Sequence, residues 1–170
     1  MSHPDVSYSS ADRAYTEEHA RDSYENLIFS LCRFHELTGA WPRNVTVVGY
    51  EFKRHRFEAL HREAIAFPAE RFSYVGTPAA TPNAEAGEAV AAESFRADPY
   101  GCGPALRAKR HLRDPFARGV PYVARCAAAA PLLRHCGPEP FRGALPWQDG
   151  TAVNVLRAAR AAANALDSTR

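Results

Sequence analysis

The sequence predicts an α/β fold in which a small parallel sheet is flanked by helices and followed by an irregular, Pro-rich C-terminal half. Three observations carry that expectation. Apolar side chains recur at three- and four-residue spacing over residues 22–37. Two short strand-like runs come next with a second helical pattern between them, and prolines, glycines and alanines crowd the chain beyond residue 76. A helix, strand, helix, strand order at these lengths is the rhythm of a sheet whose crossovers are helical. Length and composition agree, since 170 residues suit one domain and 46% hydrophobic residues suffice to fill one core.

Residues 1–14 are rich in Ser, Tyr and charge, show no period, and read as a flexible arm. Asp22 with Glu25 three residues on has the form of a capping box. Tyr24, Leu27, Ile28, Leu31, Phe34 and Leu37 then form the apolar stripe of a first helix. Gly39 suits the left-handed turn at its end, and Trp41-Pro42 blocks continuation. The run Val45 to Val48, closed by Gly49, is apolar almost throughout, which suits a strand buried on both faces. Phe57, Leu60, His61, Ala64 and Ile65 share one side of a second helix, expected over about 52–67 and stopped before Pro68. Phe72 to Val75, with Gly76, reads as a second strand lying parallel beside the first through a right-handed crossover.

Beyond a Pro- and Ala-rich linker at 77–84, residues 85–95 have a weak helical pattern interrupted by Gly87. Turn-forming residues at 98–104 precede one or two helical turns from Leu106 to Leu112, and Pro131 limits any helix over 127–133. Val153, Leu156, Ala159, Ala163 and Leu166 predict a C-terminal helix. Two strands make a poor sheet alone. The chain therefore divides into an arm (1–14), part of an α/β layer with a C-terminal extension (15–147), and a C-terminal helix (148–170).

A net charge of +2 is too near balance to attract polyanions globally, so any anion site must be local. No stretch reaches the length of a membrane span and the N-terminus lacks the apolar centre of a signal peptide, which makes cytoplasm the default compartment. Cys32, Cys102, Cys126 and Cys136 contain no C-x-x-C pair and read as free thiols in a reducing compartment. A zinc set of Cys102, Cys126, His135 and Cys136 can be drawn, but adjacent His135 and Cys136 are poorly placed to chelate one tetrahedral ion, and no metal site is expected. The seven histidines form no H-E-x-x-H pair, Ser23 lies in no G-x-S-x-G elbow, and no Walker or G-x-G-x-x-G loop exists. No reaction is specified.

Two segments are candidate sites. The turn Gly49 to Arg56 lies just after the first strand, where open α/β sheets bind ligands against helix N-termini. Basic residues in a first helical turn, Lys53 and Arg56 among them, oppose the macrodipole by roughly 0.3–1 kcal/mol per exposed charge. Either a bound phosphate or carboxylate, or local acids such as Glu51 and Glu58, must offset them. The second segment is the entry to the first helix, Glu18, Asp22, Ser23, Glu25 and Asn26. Asp22, Ser23 and Glu25 are ordinary capping types, whereas Asn26 interrupts the apolar face and is suited to bond a ligand or loop. A basic stretch, Arg107, Lys109, Arg110, Arg113 and Arg118, reads most simply as a solvated surface. With no stacked aromatics and no recognised motif, it argues against nucleic acid.

Glu18 to Asn26 resembles the E-x-S-x-N-T-x-E-N signature of the YdcF/SanA/ElyC-like family, a Rossmann-like domain of largely unknown function, and Val45 to Phe57 resembles that family's next strand and turn. The segments D-S-Y-E-N-L, V-V-G-Y-E-F-K-R and D-P-Y-G-C-G are similar to its soluble fungal branch. Ala20 stands where the family has Ser, Lys53 where it has His, and the family's opening Gly-rich strand is absent. The resemblance implies a truncated Rossmann-like layer whose ligand, anionic, nucleotide-like or S-adenosylmethionine-like, contacts Glu25, Asn26, Lys53 and Arg56. The other expectation is a non-catalytic interaction module, or a fragment of a larger domain, that recruits a protein partner or a second copy at its open sheet edge.

Overall fold

In a computed structural model, residues 13–79, 84–114 and 116–148 are described. Most of the arm and the whole helix expected over 151–166 lie outside them.

Helix α1 spans Ser23–Thr38, as the apolar stripe predicts. Asp22 caps it, its Oδ1 accepting the Glu25 N–H at 2.8 Å, and Gly39 closes it at φ 69° with its N–H donating to the His35 carbonyl at 2.8 Å. The reciprocal half of the box is displaced by one residue. The Glu25 carboxylate reaches back to the backbone N–H of Arg21 at 2.9 Å, because the Arg21 guanidinium grips the same carboxylate at 3.0 and 2.6 Å.

Strands β1 (Val45–Tyr50) and β2 (Phe72–Thr77) pair in parallel, in register from Val45 opposite Phe72 to Tyr50 opposite Thr77. The expected pairing is therefore present. The expected two-sided burial is not: Tyr74 points into the core, while Thr46, Val48, Tyr50, Ser73, Val75 and Thr77 lie exposed on the other face, Val48 at 68%. An apolar run reports only that a strand tolerates burial on both sides, and the described residues cover one.

The crossover from β1 to β2 is helical but irregular, with a 3-10 turn at Glu51–Lys53, a π-helix at Arg56–His61 and α-helix α2 at Arg62–Ala64. In the π segment the Arg62 N–H bonds to the Phe57 carbonyl instead of that of Glu58. The abandoned Glu58 carbonyl accepts from Arg62 Nε at 2.7 Å, so the guanidinium replaces the bond its own backbone gave up.

The second half is built of short pieces: α3 (Ala84–Ala97), continuous through Gly87, α4 (Pro104–Leu112), α5 (Tyr122–Arg125), a 3-10 turn at Ala127–Ala129 and α6 (Ala130–Leu133). Its side chains complete the core under the inner sheet face, where Leu27, Ile28, Phe57, Phe95, Leu106 and Trp147 are all buried. Trp147 fastens the far end, its Nε1–H donating to the Ile65 carbonyl at 2.7 Å.

The cysteines require a correction. They are not free thiols: Cys32 pairs with Cys126, and Cys102 with Cys136. Cys126 is thereby separated from the other members of the zinc set drawn from sequence. Separations of 94 and 34 residues left no local trace of the pairing. Two disulfides suit an oxidising compartment better than the reducing one assumed for free thiols. Among the described residues no helix is long and apolar enough to cross a membrane.

Candidate functional site

The N-terminus of α1, the carboxyl end of β1, the start of the crossover, α3 and α4 enclose a cleft of about 480 Å³. Its walls include Arg21, Asp22, Ser23 and Asn26 from the α1 entry, and Val47, Val48 and Gly49 from β1. Lys53, Arg56 and Phe57 come from the crossover, and Phe95, Leu106, Lys109 and Arg113 from α3 and the α4 region. Glycine at 49 is required by packing, since a Cβ there would lie 2.6 Å from the Tyr74 hydroxyl, which donates to the Tyr50 carbonyl at 2.7 Å.

Of the residues singled out from sequence, Asp22, Ser23, Asn26, Lys53 and Arg56 meet at this cleft. Glu18 does not; it is exposed and accepts only from the Thr16 hydroxyl at 3.2 Å. Glu25 is buried but lines no part of the cleft, being held by Arg21 at 2.6 Å and Arg110 at 3.3 Å. The carboxylate facing Arg56 is instead Glu88 of α3, 2.9 Å away. Glu25 and Arg56, expected to contact one ligand, are thus kept apart, and Arg56 instead makes an ion pair that bridges the crossover to α3.

The charges on the walls are unequal. Asp22 is the carboxylate among the lining residues, and its oxygens already accept the Glu25 N–H and Arg110 Nε, the latter at 2.5 Å. Arg56 is buried with Nε lacking any hydrogen-bond partner. Lys53 lies over the Tyr50 and Phe52 rings at 5.3 and 5.7 Å. Among the described residues, Lys53, Lys109 and Arg113 have no carboxylate within 4.0 Å. Burial raises the Glu88 pKa against the opposing pull of Arg56, Lys53 and His55, and burial lowers that of Arg56 against the pull of Glu88.

Behind the α1 entry lies His61, fully buried, with Nε2 at 2.8 Å from the Ser23 hydroxyl oxygen and Nδ1 without a partner. Desolvation first, then the charges of Arg56 and Arg110, push its pKa down to about 3. A ring so hard to protonate is a weak base for a serine proton, which leaves the Ser23 and His61 pair poorly suited to act as a hydrolase dyad.

Sequence reasoning missed His61, Arg21, Glu88 and the inward role of α4. One signal existed: Leu106, Lys109 and Arg113 recur at three- and four-residue spacing, placing two cations beside an apolar anchor. Nothing local says which surface that side faces. Arg110, expected in solvent, instead donates from Nη2 to the Tyr100 carbonyl at 3.0 Å beside Gly101, whose φ of +67° brings backbone close to the guanidinium.

No family model matches the chain, and no solved structure matches it. The chain is 32% identical over 121 residues to the uncharacterized protein YOR238W of Saccharomyces cerevisiae, the match covering 64% of this chain and 40% of that protein. The chain thus spans less than half the length of this curated relative.

Proposed function

We propose that the protein binds a small phosphate-bearing anion of nucleotide size at the carboxyl end of its two-stranded sheet. The observation that carries this reading is a set of cations, Lys53, Lys109 and Arg113, with no carboxylate within 4.0 Å among the described residues, around one cleft whose lining carboxylate is already engaged. A volume of about 480 Å³ falls within the roughly 300–1,000 Å³ usual for small-molecule sites. The YdcF-like resemblance of the sequence points to the same place, just beyond a parallel strand. S-adenosylmethionine fits less well, because its sulfonium would enter a cleft already rich in positive charge. The two disulfides support residence in an oxidising compartment.

Isothermal titration with inorganic phosphate, AMP and S-adenosylmethionine tests the reading. Phosphate and AMP should bind, S-adenosylmethionine should not, and Lys53→Ala should weaken the anions about tenfold. Absence of heat with every anion would overturn it.

The bare outer sheet face favours a second reading, a non-catalytic module that associates with a second copy of itself. Val48 and Val75 stand exposed side by side, and each strand keeps one unpaired edge among the described residues. Sedimentation should then show dimers that Val75→Lys dissolves; a monomer at high concentration would exclude them.

A further inference from the structure

We infer that Ser23, its hydroxyl turned into the cleft by His61, forms with Lys109 and Arg113 a second half of the anion site, making the ligand a diphosphate ester of the nucleoside diphosphate class. The inference rests on the anion reading above and deepens it.

Charge sets the ligand class. A phosphate monoester brings about −1.5 to −2 at pH 7, less than the three cations on the cleft walls that have no carboxylate within 4.0 Å among the described residues, before Arg56 is considered. Those cations come in two banks from distant parts of the chain. Lys53 and Arg56 lie just past β1, whereas Lys109 lies on α4 and Arg113 just beyond it. A single phosphoryl group neutralises one bank; two linked groups reach both. Phe57, Phe95 and Leu106 give the same cleft an apolar wall for the organic part of an ester.

The tautomer of His61 sets the role of Ser23. If Nε2 accepted from the serine, the ring proton would sit on Nδ1, which is buried and has no acceptor. Buried N–H groups without acceptors are the rarer and more penalised defect, so the proton belongs on Nε2, donating to Ser23 Oγ. Burial and the neighbouring guanidinium groups keep the ring neutral, which preserves that arrangement across the physiological range. The Ser23 hydroxyl proton is then left to donate into the cleft that Ser23 lines, beside the N-terminus of α1. His61 is thus a positioning residue and Ser23 a ligand contact. The site presents donors and cations, as a fully ionised diphosphate requires.

Titration calorimetry with orthophosphate, pyrophosphate, AMP and ADP tests the proposal. Pyrophosphate and ADP should bind at least about tenfold tighter than orthophosphate and AMP. The double variant Lys109→Ala/Arg113→Ala should remove that preference, weakening pyrophosphate and ADP at least about tenfold more than orthophosphate. Ser23→Ala should weaken ADP about tenfold, and His61→Leu equally, whereas His61→Gln, which keeps an N–H donor, should stay within about threefold. Combining Ser23→Ala with His61→Leu should lose no more than either alone. Equal affinity for AMP and ADP, or additive losses at Ser23 and His61, would overturn the proposal. Should the buried His61 variants fail to fold, Ser23→Ala and the double variant decide it alone. If orthophosphate binds through Lys53 while Ser23, Lys109 and Arg113 prove indifferent, this inference falls and the anion reading stands. If wild type binds none of the four probes, both fall.

Discussion

The inner and outer faces of the sheet are made by alternate residues of the same two strands, yet they live in different surroundings. On the inner face Tyr74 is 5% exposed, packs against Phe57 and donates its hydroxyl proton to the Tyr50 carbonyl. On the outer face, one residue along, Val75 is 50% exposed and Thr46 and Ser73 share a hydrogen bond in the open. Because side chains alternate along a strand, β-branched composition is common to both faces while burial belongs to one. What differs is the cover: α1, the crossover and the disulfide-linked second half all pack on the inner side. Stability should therefore be concentrated there, and substitutions can break or sharpen that contrast.

The largest effect should come from Tyr74→Ala, which opens a cavity under the sheet and leaves the Tyr50 carbonyl without its partner, a loss of about 3–5 kcal/mol by urea denaturation. Reduction of the disulfides should rank next. Cys32–Cys126 closes the longer loop, holding α1 to the second half, and its removal should lower stability by about 2–4 kcal/mol in melts with and without reductant.

Per pH unit, a smaller effect should appear with acid. The His61 pKa is depressed from 6.5 to about 3, so between these values the unfolded chain takes up a proton that the folded chain refuses. Stability should accordingly fall as pH drops through that window, by at most about 1.4 kcal/mol per pH unit from this group. His61→Gln should flatten the slope in pH-dependent denaturation; an unchanged slope would place the acid sensitivity elsewhere. The smallest effect belongs to the outer face, where Val75→Thr should stay within about 0.5 kcal/mol of wild type. A loss as large as that of Tyr74→Ala would mean that the outer face is covered in solution.

The elements legible in the sequence are those encoded locally. Asp22 and Gly39 mark the ends of α1 by capping chemistry, and the order of apolar periods suffices to predict a parallel pair joined by a helical crossover. The site is half legible. Lys53 and Arg56 stand just past a strand end, a position with meaning in any α/β sheet, and Asp22, Ser23 and Asn26 stand at a helix entry. The hidden half depends on contacts between distant residues. Glu88 answers Arg56 from another helix, Arg110 reaches Asp22 across 88 positions, and the four cysteines find partners far along the chain. The Val-rich β1 departs from its expected burial for a related reason, since side-chain type shows what a face tolerates and the rest of the fold decides what covers it.

The π segment between Arg56 and His61 gives the protein one helical place that tolerates the loss of a residue. A π-helix holds one residue more than the α-helix it interrupts. Deleting a single residue, Ala59 for instance, lets the Arg62 N–H keep the Phe57 carbonyl as an ordinary i to i−4 bond, so the turns on either side keep their phase. Arg56 on the cleft wall and His61 in the core would keep their faces, while the Arg62 guanidinium would lose the spare carbonyl it serves. Single-residue deletions are usually absorbed in loops. Here the same change would be absorbed inside a helix, which would become more regular while the residues of the site kept their faces.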